Sequence, residues 1–145
     1  MQRFKNGLIA ITALLALGLM PLAQAEDDNK VLVTVTTGDA QTQAMAMILT
    51  GQLVQRGADV RILLCDQAGE MGTTAFEGPT FKGPDANAQQ IMQKVMKGGA
   101  QVDVCALFLP NSDFTQDDLI DGVGAASPDE MGEYMIDEDV RFLSF

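Results

Sequence analysis

The sequence predicts an α/β domain: a three-layer α/β/α sandwich whose mainly parallel sheet has about five strands. Three observations carry this expectation. Two β-branched runs, at residues 31–36 and 58–64, flank a segment of helical spacing, so strand, helix and strand follow one another within 35 residues. That order is a βαβ unit, which requires parallel pairing and a right-handed crossover. A third apolar stretch, Gln101-Val-Asp-Val-Cys-Ala-Leu-Phe-Leu-Pro110, is continuous enough for a central strand covered on both faces.

The first 25 residues lie outside this pattern. Met1 to Gly7 carries Arg3 and Lys5, Leu8 to Leu22 is almost wholly apolar, and Ala23-Gln24-Ala25 has the small-residue form of a cleavage site. Residues 1–25 are therefore expected to be a secretory signal peptide, and residues 26–145 the domain. A retained anchor is the poorer reading, because Pro21 interrupts the apolar run, Glu26-Asp27-Asp28 follows it, and its 15 positions fall short of the roughly 20 that span a bilayer. The expected location is the periplasm, without membrane attachment after cleavage.

Each element then has its own signal. Val31-Leu-Val-Thr-Val-Thr36 is the first strand, broken by Thr37-Gly38-Asp39. From residue 40 to about 56, Met45, Ile48, Leu49 and Leu53 fall at helical spacing, with Asp39 or Thr37 as N-cap and Gly57 past the end. The second strand ends at Cys65. Residues 66–85 hold six Gly or Pro and no periodicity, which reads as a long functional loop; Phe76 and Phe81 would pack it on the domain or on a neighbouring subunit. Asp85 is the expected cap of a second helix over residues 86–97, with Ala88, Ile91, Met92, Val95 and Met96 as its apolar stripe. After the third strand, Thr115-Gln-Asp-Asp118 resembles a short helix start and Val123 to Ala126 a brief fourth strand. Ser127-Pro128-Asp129-Glu130 starts a last helix bearing Met131, Tyr134 and Met135, and Val140 to Phe145 closes the sheet.

Composition excludes several functions. With 20 acidic and nine basic residues the chain is strongly anionic, and removal of residues 1–25 would take its formal charge from −11 to −13. No basic footprint exists for nucleic acid or an anionic membrane surface. Histidine is absent, which removes the usual general base and most zinc or haem ligation. The loops lack the phosphate-binding glycine patterns. The pairs Met92/Met96 and Met131/Met135 have a spacing that could offer thioethers to Cu(I), but the same spacing is that of a core stripe, and both lie on apolar helix sides. The carboxylate clusters Asp117-Asp118-Asp121 and Asp137-Glu138-Asp139 lack calcium-loop spacing and suit helix-end electrostatics and a solvated turn. No metal or cofactor is expected.

Cys65 and Cys105 remain as the residues with special chemistry. In an exported protein a disulfide between them is the simplest expectation. Against it, Cys65 stands at the end of its strand and Cys105 about three residues before the end of its own, an axial offset of ~10 Å at 3.3 Å per residue. A bridge needs Cα atoms roughly 4.4–6.8 Å apart. By two-residue alternation Asp103 shares the face of Cys105, where its charge opposes a thiolate. Asn111-Ser112-Asp113 lies at the carboxyl end of the strand, where open α/β sheets place their sites and where backbone N–H groups would favour the thiolate.

The succession Val31-Leu-Val-Thr-Val-Thr-Thr-Gly-Asp39, Val60-Arg-Ile-Leu-Leu-Cys65, Gly98-Gly-Ala-Gln-Val-Asp-Val-Cys105 and Val140-Arg-Phe-Leu-Ser-Phe145 resembles the DsrE/DsrF-like (YchN-like) family over nearly all of residues 26–145. The resemblance implies a small α/β/α sandwich assembled into trimers or hexamers. It also implies sulfur relay, with a persulfide held on the cysteine that matches Cys105. The expected function is thus a periplasmic, thiol-dependent sulfur carrier or sulfurtransferase-like protein with Cys105 as acceptor and a sulfur donor or acceptor protein as partner. Cys65, Asp103 and Asn111 would be accessory, and Thr37, Gly38 and Asp39 would line the pocket. The alternative is a non-catalytic oligomeric binding protein in which Cys105 is structural.

Overall fold

The computed structural model describes residues 29–145; the signal-peptide reading falls outside them. Five strands form one all-parallel sheet in the order β4-β3-β2-β1-β5: β1 (Lys30–Val35), β2 (Asp59–Leu64), β3 (Gln101–Val104), β4 (Val123–Ala125) and β5 (Val140–Ser144). Helices α1 (Ala40–Gln55) and α2 (Ala88–Lys97) cover one face, and α3 (Pro128–Met135) packs on the other. This is the three-layer sandwich expected from the sequence.

Strand alternation divides the two cores. Val31, Val33, Val35, Val60, Ile62, Leu64, Val102 and Val104 join Met47, Ile91, Met92 and Val95 on the α1/α2 side, while Leu32 and Leu63 meet Met131 and Tyr134 on the α3 side. Met92 is fully buried, as the core reading of its stripe requires. Among the described residues no helix is long and apolar enough to cross a membrane.

The signals for α1 hold at its two ends and fail at its buried face. Asp39 Oδ1 accepts from Thr42 N at 2.8 Å, and Gly57 turns the chain with φ +83°. The face α1 buries, however, is Gln43, Ala44, Ala46, Met47 and Thr50, and the expected Met45 and Leu49 are exposed. On that face Ala44 and Ala46 leave room for Met47, its one large apolar side chain, which is fully buried. The cap of α2 is Asn87, not Asp85. Asn87 and Gln90 form a reciprocal capping box at 2.9 Å each way, whereas Asp85 is held at φ +48° in the preceding turn. Ser127 is the N-cap of α3, but its hydroxyl makes no capping bond.

Three further differences shape the site. Residues 66–85 are an ordered part of the domain: Asp66–Gly72 is a 3-10 helix, Thr73 bridges to Leu119, and Phe76 and Phe81 pack on the main core. The Thr115 segment forms only a 3-10 turn, Gln116–Asp118. Finally, β3 ends at Val104 rather than near Leu109. Phe108 N donates to Cys105 O at 2.9 Å, so the chain turns at once, and Leu109–Asn111 is a second 3-10 turn.

Candidate functional site

Early termination of β3 changes the place of Cys105. The parallel register pairs Leu64 with Val104, so the next residues, Cys65 and Cys105, stand at the same level on neighbouring strands. The ladder extends one step beyond the strands: Cys65 N donates to Val35 O at 2.9 Å, and Cys105 N donates to Leu64 O at 2.8 Å. The expected axial offset between the cysteines is therefore absent. Both thiols are free and half-buried at the carboxyl edge of the sheet, where doubly covered parallel sheets expose their strand ends.

The thiols differ in environment. Cys105 lines an open cleft of about 640 Å³ whose wall includes Asp66, Gln67 and Glu70 from the first 3-10 helix and Phe108, Asn111 and Ser112 from the turn after β3. Cys65 sits deeper. Burial pushes its thiol up to about 12, with smaller contributions from its hydrogen bond to Cys105, the charge Cys105 can carry and the Asp66 carboxylate. At neutral pH Cys65 is a protonated thiol.

The cleft wall is built by close packing. A Cβ on Gly69 would lie 2.2 Å from the ring of Phe108, so glycine at this point lets the aromatic side chain fold down over the 3-10 helix. Phe108 in turn stacks on Phe114 with centroids 5.8 Å apart. Asn111 reaches the cleft but also closes its own turn, Nδ2 donating to Leu107 O at 2.8 Å. The N–H groups of Asn111, Ser112, Phe114 and Thr115 are engaged within the segment, to Phe108 O, Leu109 O, Ser112 Oγ and Asp118 Oδ2. They are not free to solvate a thiolate.

Thr37, Gly38 and Asp39 build the β1–α1 turn instead of the cysteine cleft. Thr37 O accepts from Gln43 Nε2 at 2.8 Å, Thr37 Oγ1 accepts from Asp39 N, and Asp39 caps α1. Gly38 lines a neighbouring cleft of about 340 Å³ with Phe76 and Glu77. Gln67 and Glu70 belong to both clefts, and Gln67 Oε1 accepts from Gly38 N at 3.1 Å, so the two hollows share a wall.

Asp103 is turned away from free charge. Arg61 Nε meets its Oδ2 at 3.1 Å with both residues buried, and Gln101 Nε2 donates to the same oxygen at 3.0 Å. Gly124 stands opposite Asp103 in the register, and a Cβ there would lie 2.5 Å from Oδ1, so glycine makes the room. The carboxylate that acts on Cys65 is Asp66, which in the sequence stands only as the first residue of a loop. Its φ of +50° marks the tight exit from β2. The other acidic clusters have structural partners: Asp118 is held below its ordinary value by the Thr115 N–H, and Asp137 by Lys30 Nζ at 2.7 Å. Among the described residues no group of three or more Cys, Asp or Glu side chains is arranged to hold a metal ion.

Two solved structures share this architecture. The ychN protein from E. coli superposes with a TM-score of 0.67 at 19% identity, covering 81% of this chain and 99% of that one. MTH1491 from Methanobacterium thermoautotrophicum, described as a protein of unknown function, gives a TM-score of 0.63 at 13% identity over 81% and 100% of the two chains. Comparison with protein-family models gives no match, nor does comparison with curated proteins. The chain has the YchN-like fold that its strand motifs resemble.

Proposed function

We propose that this chain is an exported sulfur carrier of the DsrE/DsrF type that accepts sulfur on Cys105. The observation that carries the reading is the position of Cys105: first residue past a central parallel strand, on the wall of an open cleft, beside a second thiol in register. A Cys105 thiolate attacks the outer sulfur of a persulfide donor. The new bond joins Cys105 Sγ to that sulfur, the donor's S–S bond breaks, and the donor leaves as a thiolate.

Support for a working rather than a filling thiol comes from exposure. Cys105 is half-buried on a cleft, whereas a core-filling cysteine would sit among the fully buried residues. Asp66 and Glu70 make the wall acidic, which disfavours small anionic donors and suits a donor protein with basic groups around its own sulfur. Export to the periplasm rests on residues 1–25, and N-terminal sequencing from an extracytoplasmic fraction should begin at Glu26. Assembly into trimers or hexamers is part of the same proposal. Phe142, Leu143, Ile136 and Met135 are exposed around β5 and the end of α3, and they offer apolar surface for it.

The test is intact-mass analysis after treatment with inorganic polysulfide, at enough salt to screen the acidic wall. The expected product is one added sulfur atom on Cys105, retained in Cys65→Ser protein and lost in Cys105→Ser. An adduct confined to Cys65, or none in any variant, would overturn the reading.

A further inference from the structure

We infer that Cys65 is the resolving thiol of this site: it attacks a persulfide on Cys105, discharges the outer sulfur as hydrogen sulfide and leaves a Cys65–Cys105 disulfide. The inference rests on the persulfide reading above and adds the step by which the sulfur departs.

Geometry carries it. Residues in register on adjacent strands lie about 4.8 Å apart, inside the window of roughly 4.4–6.8 Å for the Cα atoms of a disulfide. The register Leu64 to Val104 and the bond from Cys105 N to Leu64 O put the two cysteines in that relation. Both stand one residue beyond a strand end, each followed by a turn, at Asp66 and at the Cys105 to Phe108 bond. The chain after each cysteine is thus free of the ladder that would resist a small closing movement.

The pair is also asymmetric. Cys105 lines the cleft, and Cys65 is not among the cleft's lining residues. Incoming sulfur therefore meets Cys105, and Cys65 meets what Cys105 already carries. Burial keeps Cys65 protonated, which holds it back from competing as the first acceptor; it acts as a nucleophile only as its proton passes to the departing outer sulfur of the Cys105 persulfide.

The step balances without an external oxidant. The Cys65 Sγ–H bond breaks and a Cys65 Sγ to Cys105 Sγ bond forms as the Cys105 Sγ to outer-sulfur bond breaks. The outer sulfur keeps that electron pair, takes the Cys65 proton beside its own, and leaves as hydrogen sulfide. It is reduced by the amount that the Cys65 sulfur is oxidised. Return to the dithiol needs a dithiol reductant, which gives up two electrons and two protons through two exchange steps and becomes a disulfide.

The experiment follows full-length protein after a pulse of inorganic polysulfide and its removal, reading intact mass, released sulfide and the Cys65–Cys105 linked peptide together. In wild-type protein the Cys105 adduct should decay with matching release of sulfide and appearance of the linked peptide. In Cys65→Ser and Cys65→Ala the adduct should last about tenfold longer or more, since an attack within one molecule becomes dependent on outside thiols. Equal lifetimes in wild type and both variants, with no linked peptide, would overturn the inference and leave the carrier reading intact. Failure to form any Cys105 adduct would overturn both. Should neither variant fold, the wild type decides: sulfide release without the linked peptide refutes the resolving role.

Discussion

Arg61 and Asp103 meet diagonally across β2 and β3, with Nε 3.1 Å from Oδ2, Arg61 standing opposite Gln101 and Leu63 opposite Asp103. The guanidinium also lies 5.5 Å from the Tyr134 ring centre on α3, and Glu130 Oε2 comes within 4.0 Å of Nη2. One buried cation thus ties two central strands to the helix on the α3 face.

The Arg61 pair leads to a prediction about stability and thiol chemistry. Removing one partner of a buried pair costs ~3–5 kcal/mol, because the other charge is left buried and uncompensated. Asp103→Asn keeps an acceptor for Arg61 and should fall near the lower end of that range by urea denaturation. Alkylation of Cys105 should be unchanged within a factor of about two, since the carboxylate already faces Arg61. A several-fold faster alkylation at an unchanged urea midpoint would contradict this.

A second prediction concerns Cys65. A thiol whose folded value is about 12 against an ordinary 9.0 contributes stability that is fully present below pH 9.0 and is lost as pH rises toward 12. In reducing buffer the urea midpoint of wild-type protein should fall across that window more than that of Cys65→Ser. Asp66→Asn removes one like charge and tolerates the left-handed backbone, so it should move Cys65 alkylation to lower pH. Parallel pH profiles for wild type and Asp66→Asn would count against the Asp66 contribution.

Gly69→Ala tests the cleft wall. The added methyl cannot coexist with the Phe108 ring where it stands, and such overpacking costs about 1–3 kcal/mol. Calorimetry should show the loss, Cys105 alkylation should change with it, and Phe108→Leu in the same chain should recover part of both. Full stability in Gly69→Ala would mean that Phe108 does not hold the wall.

Self-association is predicted to use β5 rather than the glycine-rich segment. Since Phe76 and Phe81 pack on the main core, deleting residues 73–81 should unfold the domain instead of merely dissociating it. Phe142→Asp, at a position 51% exposed, should lower the assembly state by light scattering while leaving circular dichroism unchanged. An unchanged mass would place the contact elsewhere.

The fold was largely legible because period and caps are local signals. Val31 to Thr36, the Asp39 cap and Gly57 each announce an element within a few residues. The site was less so. The run Val104 to Phe108 is apolar whether it continues as a strand or turns so that Phe108 covers Gly69, and periodicity does not separate those outcomes. A β3 that ran to Leu109 would offset Cys105 from Cys65, whereas the level of the two thiols is set by the pairing of Leu64 with Val104. Arg61 carried a readable clue. A lone arginine amid Val60, Ile62, Leu63 and Leu64 calls for an acid in another buried strand, and Asp103 between Val102 and Val104 is that acid.

The two cysteines are about forty residues apart in the chain and become neighbours only through the sheet register. A bond between them would close that loop in the unfolded chain as well, and a loop of that length is worth about 4 kcal/mol to the folded state in the chain-entropy view. Thermodynamic reciprocity makes the same quantity act in reverse: the folded chain would oxidise more readily than the unfolded one. Melting temperature and sulfur redox state would then be two readings of a single equilibrium, so the midpoint of a thermal scan should rise as the buffer is made more oxidising.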